Sequence, residues 1–259
     1  MSDNARRLNE PEKKLTPALF LHIQKTAGTS IIDLARPYYG SNMTSHGECW
    51  GHPPEDFHDT LFVSGHIGYD YARHLMKCRY SFTFLRDPIE RILSMYYFCR
   101  EQKTTEFDIY RAAKQLDLEN FLQAGFEDPL IKKNIWNSQV WQLAHGYAHL
   151  DDRTISDFQP QELLDLAIYH LDAFSHVGFT ETFVHDSNII LQALGLPVDK
   201  EEIGANVTHN RPKAESLSDD VINTLNDLTT LDQQLYDTFL SNKSTVKVKR
   251  SLCLIKKEY

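Results

Sequence analysis

The sequence predicts an α/β fold in which a central parallel β-sheet is flanked by helices. Short β-rich segments alternate with helical segments along the chain, an order typical of parallel sheets. The first β-rich segment runs into a small-residue turn and a helix start, and a later strand–helix junction carries an arginine. Ligands of such sheets bind beyond the carboxyl ends of the strands, so both junctions are candidate sites.

Four short runs predict the strands. The first, ALFLHI at 18–23, is a continuous apolar run of the kind found in buried strands. Three further β-rich runs follow it, at 60–65, 80–85 and 175–179.

Helical patterns fill the segments between the strands. The segment IIDLAR at 31–36 has helical spacing, and Pro37 is expected to limit that helix. The clearest helix start is at Asp87, a favourable N-cap, followed by Pro88 at the first helical position. The next apolar residues recur on one helical face: Ile89, Ile92, Leu93, Tyr96 and Tyr97. Further helices are predicted at 118–124, 134–144, 162–171, 183–194 and 217–240.

Composition and charge limit the function classes. The chain has 259 residues, of which 41% are hydrophobic and 24% charged, as in ordinary globular proteins. We expect one domain at 17–242, between a flexible tail at 1–16 and a basic tail at 243–259. The formal net charge of −9 argues against a nucleic-acid partner, which usually requires a basic surface. Any anionic ligand must therefore be held by a local site.

The cysteines and the apolar segments bear on compartment. The four cysteines form no CxxC pair, zinc spacing or disulfide framework, which favours a reducing compartment. Neither a signal peptide nor a run of about 18 apolar residues is visible in the sequence. We therefore expect a soluble, cytoplasmic protein if the chain is full length, although a Golgi enzyme trimmed of its anchor would look the same.

The turn after the first strand is a candidate anion site. It reads HIQKTAGTS at 22–30, where Gly28 allows close backbone approach and Lys25 supplies a positive charge. A helix N-terminus after such a loop favours negative charge. Lys25 precedes the glycine, so the loop is not a Walker A motif. An ordinary strand–turn–helix with a Ser/Thr cap is an equally good interpretation of the loop alone.

The segment LRDPIERILS at 85–94 is the second candidate. Arg86 follows a predicted strand, and Arg91 and Ser94 are neighbours on the helix after it. An arginine fork with a nearby hydroxyl makes a credible phosphate site. Taken alone, a surface pair of Arg86 with Asp87 or Glu90 is the more common arrangement.

Together the two segments resemble a known family. HIQKTAGTS is similar to the HIxKTxGTS loop, and LRDPIERILSMYY to the RDPxxRxxSxYY segment, of carbohydrate sulfotransferases such as the heparan sulfate 2-O- and 6-O-sulfotransferases. Four weaker resemblances keep the family's order: SGHIGYD, NSQVWQLAHG, VGFTETF and NVTHNRP. The resemblance covers about residues 18–213. It implies a P-loop-like sulfotransferase fold and 3′-phosphoadenosine-5′-phosphosulfate (PAPS) as co-substrate, with no metal required.

The resemblance also implies roles for individual residues. Lys25 would contact the 5′-phosphosulfate and stabilise the leaving phosphate, whereas Arg86 and Ser94 would bind the 3′-phosphate. Asn206 and Arg211, in the late loop, would close over the nucleotide. The implied nucleotide-binding set is Lys25, Thr26, Ala27, Gly28, Thr29, Ser30, Arg86, Ser94, Asn206 and Arg211.

A histidine is the expected general base for the acceptor hydroxyl, because imidazole titrates near neutral pH. His66 follows the second predicted strand directly, between Gly65 and Gly68, where the family places its base. His22 is expected to be a satisfied core histidine. His46 lies in a loop without comparable context.

Acceptor contacts are expected from the N-x-Q segment, at Asn137, Gln139 and Trp141. Relatives commonly carry an arginine shortly after that glutamine, and here the stretch reads Val-Trp-Gln. With the overall acidity, this departure disfavours a strongly anionic acceptor. Trp136 and Trp141 are candidates for stacking on a sugar ring, and helix packing is at least as good an interpretation of both.

Two other functions compete with a carbohydrate sulfotransferase. A P-loop-type kinase using ATP would need a magnesium-binding acid and a GK[ST] ending, and the loop here ends in TAGTS instead. A nucleotide-binding protein without turnover is the second alternative, and it would be favoured if His66 pointed away from Lys25.

Overall fold

The computed structural model describes residues 15–146, 153–198 and 216–241 of the chain. Its four strands form one parallel sheet in the order β2-β1-β3-β4. They are β1 (Ala18–Leu21), β2 (Phe62–Gly65), β3 (Tyr80–Leu85) and β4 (His176–Phe179). The predicted α/β fold with a central parallel sheet is confirmed.

Helices connect and cover these strands. They are α1 (Gly28–Tyr39), α2 (Tyr69–Ala72), α3 (Pro88–Glu101), α4 (Asp108–Gln115), α5 (Leu118–Glu127), α6 (Pro129–Ile135), α7 (Ser138–Ala144), α8 (Pro160–Leu171), α9 (Phe183–Leu194) and α10 (Asp219–Leu228). Residues 230–241 form a further helix, α11. Short 3-10 turns lie at Pro54–Phe57, Ile155–Asp157 and Thr180–Thr182.

The strand order creates a crevice at one edge of the sheet. The chain passes from β1 to β2 on one side and then returns to β3 on the other side of β1. Leu21 of β1 lies level with Gly65 of β2 and with Thr83 of β3, so the three carboxyl ends are close together. A reversal of this kind between neighbouring strands is where ligands bind in open parallel sheets.

Both faces of the sheet are buried, which explains why β1 is apolar without alternation. Leu19 and Leu21 belong to the core on the face covered by α7 and α8. Ala18 and Phe20 belong to the core on the opposite face, together with residues of α1 and α9. A third apolar cluster joins α3, α4, α5, α6 and α10 beside the sheet.

The predicted start of α3 is confirmed. The Asp87 carboxylate accepts a hydrogen bond from the Glu90 amide at 2.9 Å, and Pro88 is the first helical residue. This cap fixes the chain direction immediately after β3. Arg86 is therefore held at the strand end, between β3 and the helix.

Several helix boundaries differ from the predictions. Helix α1 continues past Pro37 to Tyr39, and the Gly40 amide closes its last turn on the Arg36 carbonyl at 3.0 Å. The helix predicted at 134–144 is broken at Asn137, whose φ is 41°. The helix predicted at 217–240 is interrupted at Thr229.

The break at Asn137 has a tertiary cause. The Asn137 side-chain oxygen accepts from the amides of Leu231, at 2.8 Å, and Asp232, at 3.1 Å. The Asp232 carboxylate in turn accepts from the amides of Gln139 and Val140 and so caps α7. Burial raises the pKa of Asp232 to about 6, against the lowering effect of Arg91 and these two amides. The break therefore anchors α7 to α11.

Only the beginning of the domain can be compared with the expected limits. Residues 15 and 16, assigned to the tail, contact the domain: Leu15 packs against the second core face, and Tyr39 donates to the Thr16 carbonyl at 2.7 Å. The remaining tail residues at 1–14 and 243–259 lie outside the described part. Among the described residues, no helix is long and apolar enough to cross a membrane.

Candidate active site

A large cavity opens at the carboxyl edge of the sheet. Its volume is about 1210 Å³. Ligand pockets commonly occupy roughly 300–1,000 Å³, so this one has room for two substrates side by side. Its wall includes Lys25, Gly28, His66, Arg86 and Ser94. Lys25, His66 and Arg86, which follow the ends of three different strands, thus line the same cavity.

The loop between β1 and α1 forms one wall of the cavity. Lys25 and Ala27 adopt left-handed backbone conformations, with φ of 69° and 63°. Thr26 is fully buried, and its hydroxyl donates to the Ile23 carbonyl at 2.8 Å. The first turn of α1 contains no acidic residue, and none of the described side chains caps it. A long helix with an unneutralised N-terminus beside a tight loop is suited to an anion.

Lys25 stands over this loop in the cavity. Its ammonium lies 3.6 Å from the centre of the Phe98 ring, a cation–π contact that holds the charge near the cavity wall. Burial is the main reason why the pKa values of His22 and His66 are lowered, and the positive charge of Lys25 adds to this effect. From this position the ammonium contributes positive charge both to the two histidines and to the loop.

Gly28 has a role that the sequence did not indicate. A Cβ at this position would lie 2.0 Å from Nε2 of His22. The glycine thus makes room for the imidazole, whatever its contribution to an anion site.

Replacing Gly28 by alanine should reduce the free energy of unfolding by about 1–3 kcal/mol, the usual cost of overpacking. Urea denaturation would measure this loss. In a His22→Ala background the same substitution should cost much less, because the clashing ring is gone. An equal cost in both backgrounds would contradict the assigned contact.

Arg86 joins the two predicted segments. Its guanidinium donates to the Lys25 carbonyl at 2.9 Å and lies 3.9 Å from a Glu90 carboxylate oxygen. Gln139 holds its backbone on both sides: the Arg86 amide donates to the Gln139 side chain at 3.0 Å, and the Arg86 carbonyl accepts from it at 2.9 Å. Arg86 is therefore fixed at the cavity wall.

The two residues of α3 predicted near Arg86 separate in the structure. Ser94 lines the cavity with Arg86. Arg91 is 1% exposed and donates to the Asn134 carbonyl at 3.0 Å. Its charge lowers the pKa of buried Asp232. Arg91 thus serves the core, and Ser94 is the one of the pair that faces the candidate site.

His66 is held in one tautomer. Its Nδ1 lies 3.0 Å from the His22 carbonyl oxygen, which can only accept, so Nδ1 carries the proton and Nε2 keeps its lone pair. Burial lowers the pKa of His66 to about 4; His46 and Lys25 add to this, and the His22 carbonyl opposes it. The imidazole is neutral at pH 7, the state that a general base requires.

Two further histidines lie beside His66, and the sequence interpretation of both was incomplete. His22 is buried as expected, but its Nδ1 has no hydrogen-bond partner among the described residues. Burial, followed by repulsion from His66, His46 and Lys25, lowers its pKa well below the usual value. His46 is brought to the cavity by its loop and lies 5.5 Å from His66, centroid to centroid.

The three residues expected to contact the acceptor are buried instead. Asn137 is 2% exposed and bonded to α11, and Gln139 is 1% exposed and bonded to the Arg86 backbone. Trp141 packs against Phe158 and His145 in the core. They support the site from behind rather than line the cavity. Asn206 and Arg211 lie outside the described residues.

Exposed aromatic residues at the cavity were missed from the sequence. Trp50 is 42% exposed, and its indole donates to the His66 carbonyl at 3.1 Å. Phe107 is 45% exposed and lines the same cavity. Both lie in connecting segments without periodicity, so no pattern in the sequence pointed to them.

The charges on the cavity wall are mixed. Acidic residues outnumber basic ones among the described lining residues: Asp87, Glu90, Glu106, Asp108 and Glu181 against Lys25, Arg86 and Lys133. Lys25 and Arg86 meet at the strand ends, where a phosphate would be stabilised. The rest of the wall offers little attraction to a second anion.

Comparison with known proteins gives one strong match. Residues 13–239 match the model of a family described as "Sulfotransferase family". A search among curated proteins finds no match. Among solved structures, a sulfotransferase from Alicyclobacillus acidocaldarius is similar at 14% identity and a TM-score of 0.41, covering 85% of this chain and 96% of that one. The family match spans all of the described residues that line the cavity.

Proposed function

Since the chain belongs to the sulfotransferase family, we propose that it transfers the sulfuryl group of PAPS to a hydroxyl of an uncharged carbohydrate. The observation that carries this proposal is the meeting of Lys25, Arg86 and His66 around one cavity. Two of these side chains suit an anionic nucleotide, and the third suits an acceptor hydroxyl. Family membership favours this reaction over the ATP-dependent kinase alternative.

In the proposed reaction the acceptor oxygen attacks sulfur as the bond from sulfur to the bridging phosphate oxygen breaks. The acceptor proton passes to Nε2 of His66, the nitrogen left free by the Nδ1 contact. Negative charge grows on the departing phosphate, where the Lys25 ammonium and the α1 N-terminus stabilise it. The products are the sulfated acceptor and 3′-phosphoadenosine-5′-phosphate (PAP).

The nucleotide would be held at two points. Residues 25–30 cradle the 5′-phosphosulfate, and Arg86 and Ser94 bind the 3′-phosphate. The hydrogen bond from Arg86 to the Lys25 carbonyl supports this pairing, because it fixes the distance between the two points.

Arg86→Ala should weaken PAP binding by about 1.5–3 kcal/mol, the range for a hydrogen bond to a charged group. Arg86→Lys should recover only part of the loss, because an ammonium lacks the planar fork. Calorimetry with PAP measures both variants. Arg73→Ala is a matched control, since Arg73 is an exposed arginine outside the cavity wall. Unchanged PAP affinity in folded Arg86→Ala would refute the assignment.

The acceptor side of the cavity is proposed to lie at Trp50. The indole is half-exposed and tied to the backbone of His66, so a sugar stacked on it would lie beside the proposed base. The acidic residues of the wall support an uncharged acceptor rather than a sulfated glycosaminoglycan.

Trp50→Ala should raise the KM for the acceptor about tenfold while leaving PAP affinity unchanged, since stacking contacts are worth about 0.5–1.5 kcal/mol beyond area burial. Trp50→Phe should recover part of the loss. Steady-state kinetics with each substrate varied in turn would separate the two effects. A change confined to the KM for PAPS would place Trp50 on the nucleotide side instead.

The decisive test of the proposed function is a transfer assay. Labelled PAPS should give a labelled product from a panel of neutral glycans, and phenols and cell extract extend the search for the acceptor. Thermal denaturation with PAP, ATP and ATP–Mg²⁺ should give selective stabilisation by PAP. Stabilisation by ATP–Mg²⁺ alone would favour the kinase, and PAP binding without turnover on any acceptor would favour the non-catalytic alternative.

A further inference from the structure

We propose that His22, His46 and His66 form a binding site for a divalent transition metal ion of the Zn²⁺ class. Each imidazole offers one nitrogen, and these nitrogens lie within 4.8 Å of one another. Neutral imidazole is a common ligand of Zn²⁺, Cu²⁺ and Ni²⁺. Three protein ligands with a fourth position open is the arrangement of many functional zinc sites.

Two of the three ligands are positioned by the sheet itself. His22 directly follows β1, and His66 directly follows β2. These two strands are paired, and the pairing ends with a hydrogen bond from the His22 amide to the Gly65 carbonyl at 3.0 Å. The ring centroids of His22 and His66 are 4.4 Å apart. Nδ1 of His66 is bonded to the His22 carbonyl, which leaves Nε2 for the metal. A carbonyl partner on the second nitrogen is typical of metal-binding histidines.

The third ligand is held by a loop bound to the same strand. The His66 amide donates to the His46 carbonyl at 2.8 Å, and the Thr44 amide donates to the Phe62 carbonyl at 3.0 Å. His46 has a left-handed backbone, φ 50°, at the point where the loop turns back over β2. Its ring centroid lies 5.5 Å from that of His66 and 5.8 Å from that of His22.

The environment of the His22 side chain is an independent indication of a bound ion. The side chain is 3% exposed, and its Nδ1 has no hydrogen-bond partner within the described part of the chain. Buried polar side chains are nearly always partnered, and a bound ion is one explanation for an exception. Gly28 also leaves space for this imidazole that any other residue would fill. The cavity wall therefore accommodates the His22 ring, but no side-chain hydrogen bond within the described residues explains why a histidine stands at this position.

Metal binding would require the three imidazole nitrogens to move closer together. Zn–N distances near 2.0–2.1 Å place the nitrogens of a tetrahedral site about 3.4 Å apart, so the rings would close by up to about 1.4 Å. His46 is exposed and can supply most of that movement. All three histidines line the cavity, so the fourth position faces its interior. If His66 is the base of the proposed function, a bound metal would occupy its lone pair and inhibit transfer.

The test is metal binding by the full chain, freed of any affinity tag and treated with a chelator. Zn²⁺ calorimetry should give one ion per chain, and Co²⁺ should give the intense visible bands of a tetrahedral site. His46→Ala should weaken Zn²⁺ binding at least about 100-fold, since loss of supporting contacts alone costs 10–100-fold. His74→Ala should bind normally, because His74 is an exposed histidine outside the cluster.

X-ray absorption of the Zn²⁺-loaded natural chain gives a readout that needs no variant, and it should find three imidazole nitrogens at about 2.0 Å. Fewer than three such nitrogens, absence of stoichiometric binding, or equal affinity in His46→Ala would overturn the site. None of these measurements contains PAPS or PAP. A failed metal site and a failed transfer reaction are therefore separate results.

Discussion

Replacing His66 by alanine is expected to lower turnover by about 10²–10⁴-fold, the usual contribution of a general base. PAP affinity should stay almost unchanged, because the proposed base contacts the acceptor and not the nucleotide. The prediction depends on the Nδ1 contact with the His22 carbonyl, which presents Nε2 as the proton acceptor. Steady-state rates and PAP calorimetry on the same preparations measure the two quantities.

His66→Asn separates a base from a purely structural residue. Its amide nitrogen can keep the hydrogen bond to the His22 carbonyl, but it cannot accept a proton at neutral pH. Both variants should therefore lose turnover to a similar extent, whereas His74→Ala should not. Full turnover in folded His66→Asn would assign the base to another residue and leave only the nucleotide half of the proposed function.

The pH profile gives a further check on His66, measured with a chelator present. The base acts in its neutral form, so the rate should be lost as the pH falls through its pKa, about 4 in the free protein. The profile of kcat/KM should report this value. In the profile of kcat, the loss of rate on the acid side should begin at a higher pH than in the profile of kcat/KM. The reason is that the bound anionic nucleotide favours the imidazolium and raises the pKa of His66. His66→Ala should remove this dependence.

Replacing Lys25 by alanine is expected to lower turnover by about 10²–10³-fold and PAP affinity by about 10–100-fold. Both quantities should change because, in the proposed complex, the ammonium faces the phosphosulfate in the ground state and interacts more strongly as the leaving phosphate gains charge. This double effect distinguishes Lys25 from His66. The position of the ammonium over the Phe98 ring, inside the cavity, motivates the prediction.

Lys25→Arg should retain much of the PAP affinity, since the charge is kept, and Lys77→Ala is the control for an exposed lysine. Equilibrium binding and single-turnover rates separate affinity from chemistry. A variant that loses turnover with unchanged PAP affinity would remove Lys25 from the nucleotide site.

The parts predicted correctly from the sequence depend on local chemistry. The apolar run of β1 and the Asp87–Pro88 start of α3 are each encoded within a few residues, and both are present in the structure. Lys25 and Arg86 could be placed together because each follows a strand, and strand ends of a parallel sheet share one edge.

The parts that were missed depend on contacts between distant segments. His22 and His46 are 24 positions apart, and His46 and His66 are 20 positions apart, so no ligand spacing was visible in the sequence. They meet because β1 pairs with β2 and because the loop carrying His46 is bonded to β2. The break before α7 was missed for the same reason, since Asn137 is held by amides of α11.

The connection from α11 through α7 to Arg86 has a consequence for protein synthesis. Asp232 and Asn137 fix α7, and Gln139 of α7 fixes the Arg86 backbone. Residue 232 is translated 146 positions after residue 86, which takes about 7–30 s at 5–20 residues per second. During that interval Arg91 lacks the carboxylate that faces it in the finished core. The contacts that fix the Arg86 backbone can therefore be completed only after residue 232 has left the ribosome, long after β3 and α3 have been made.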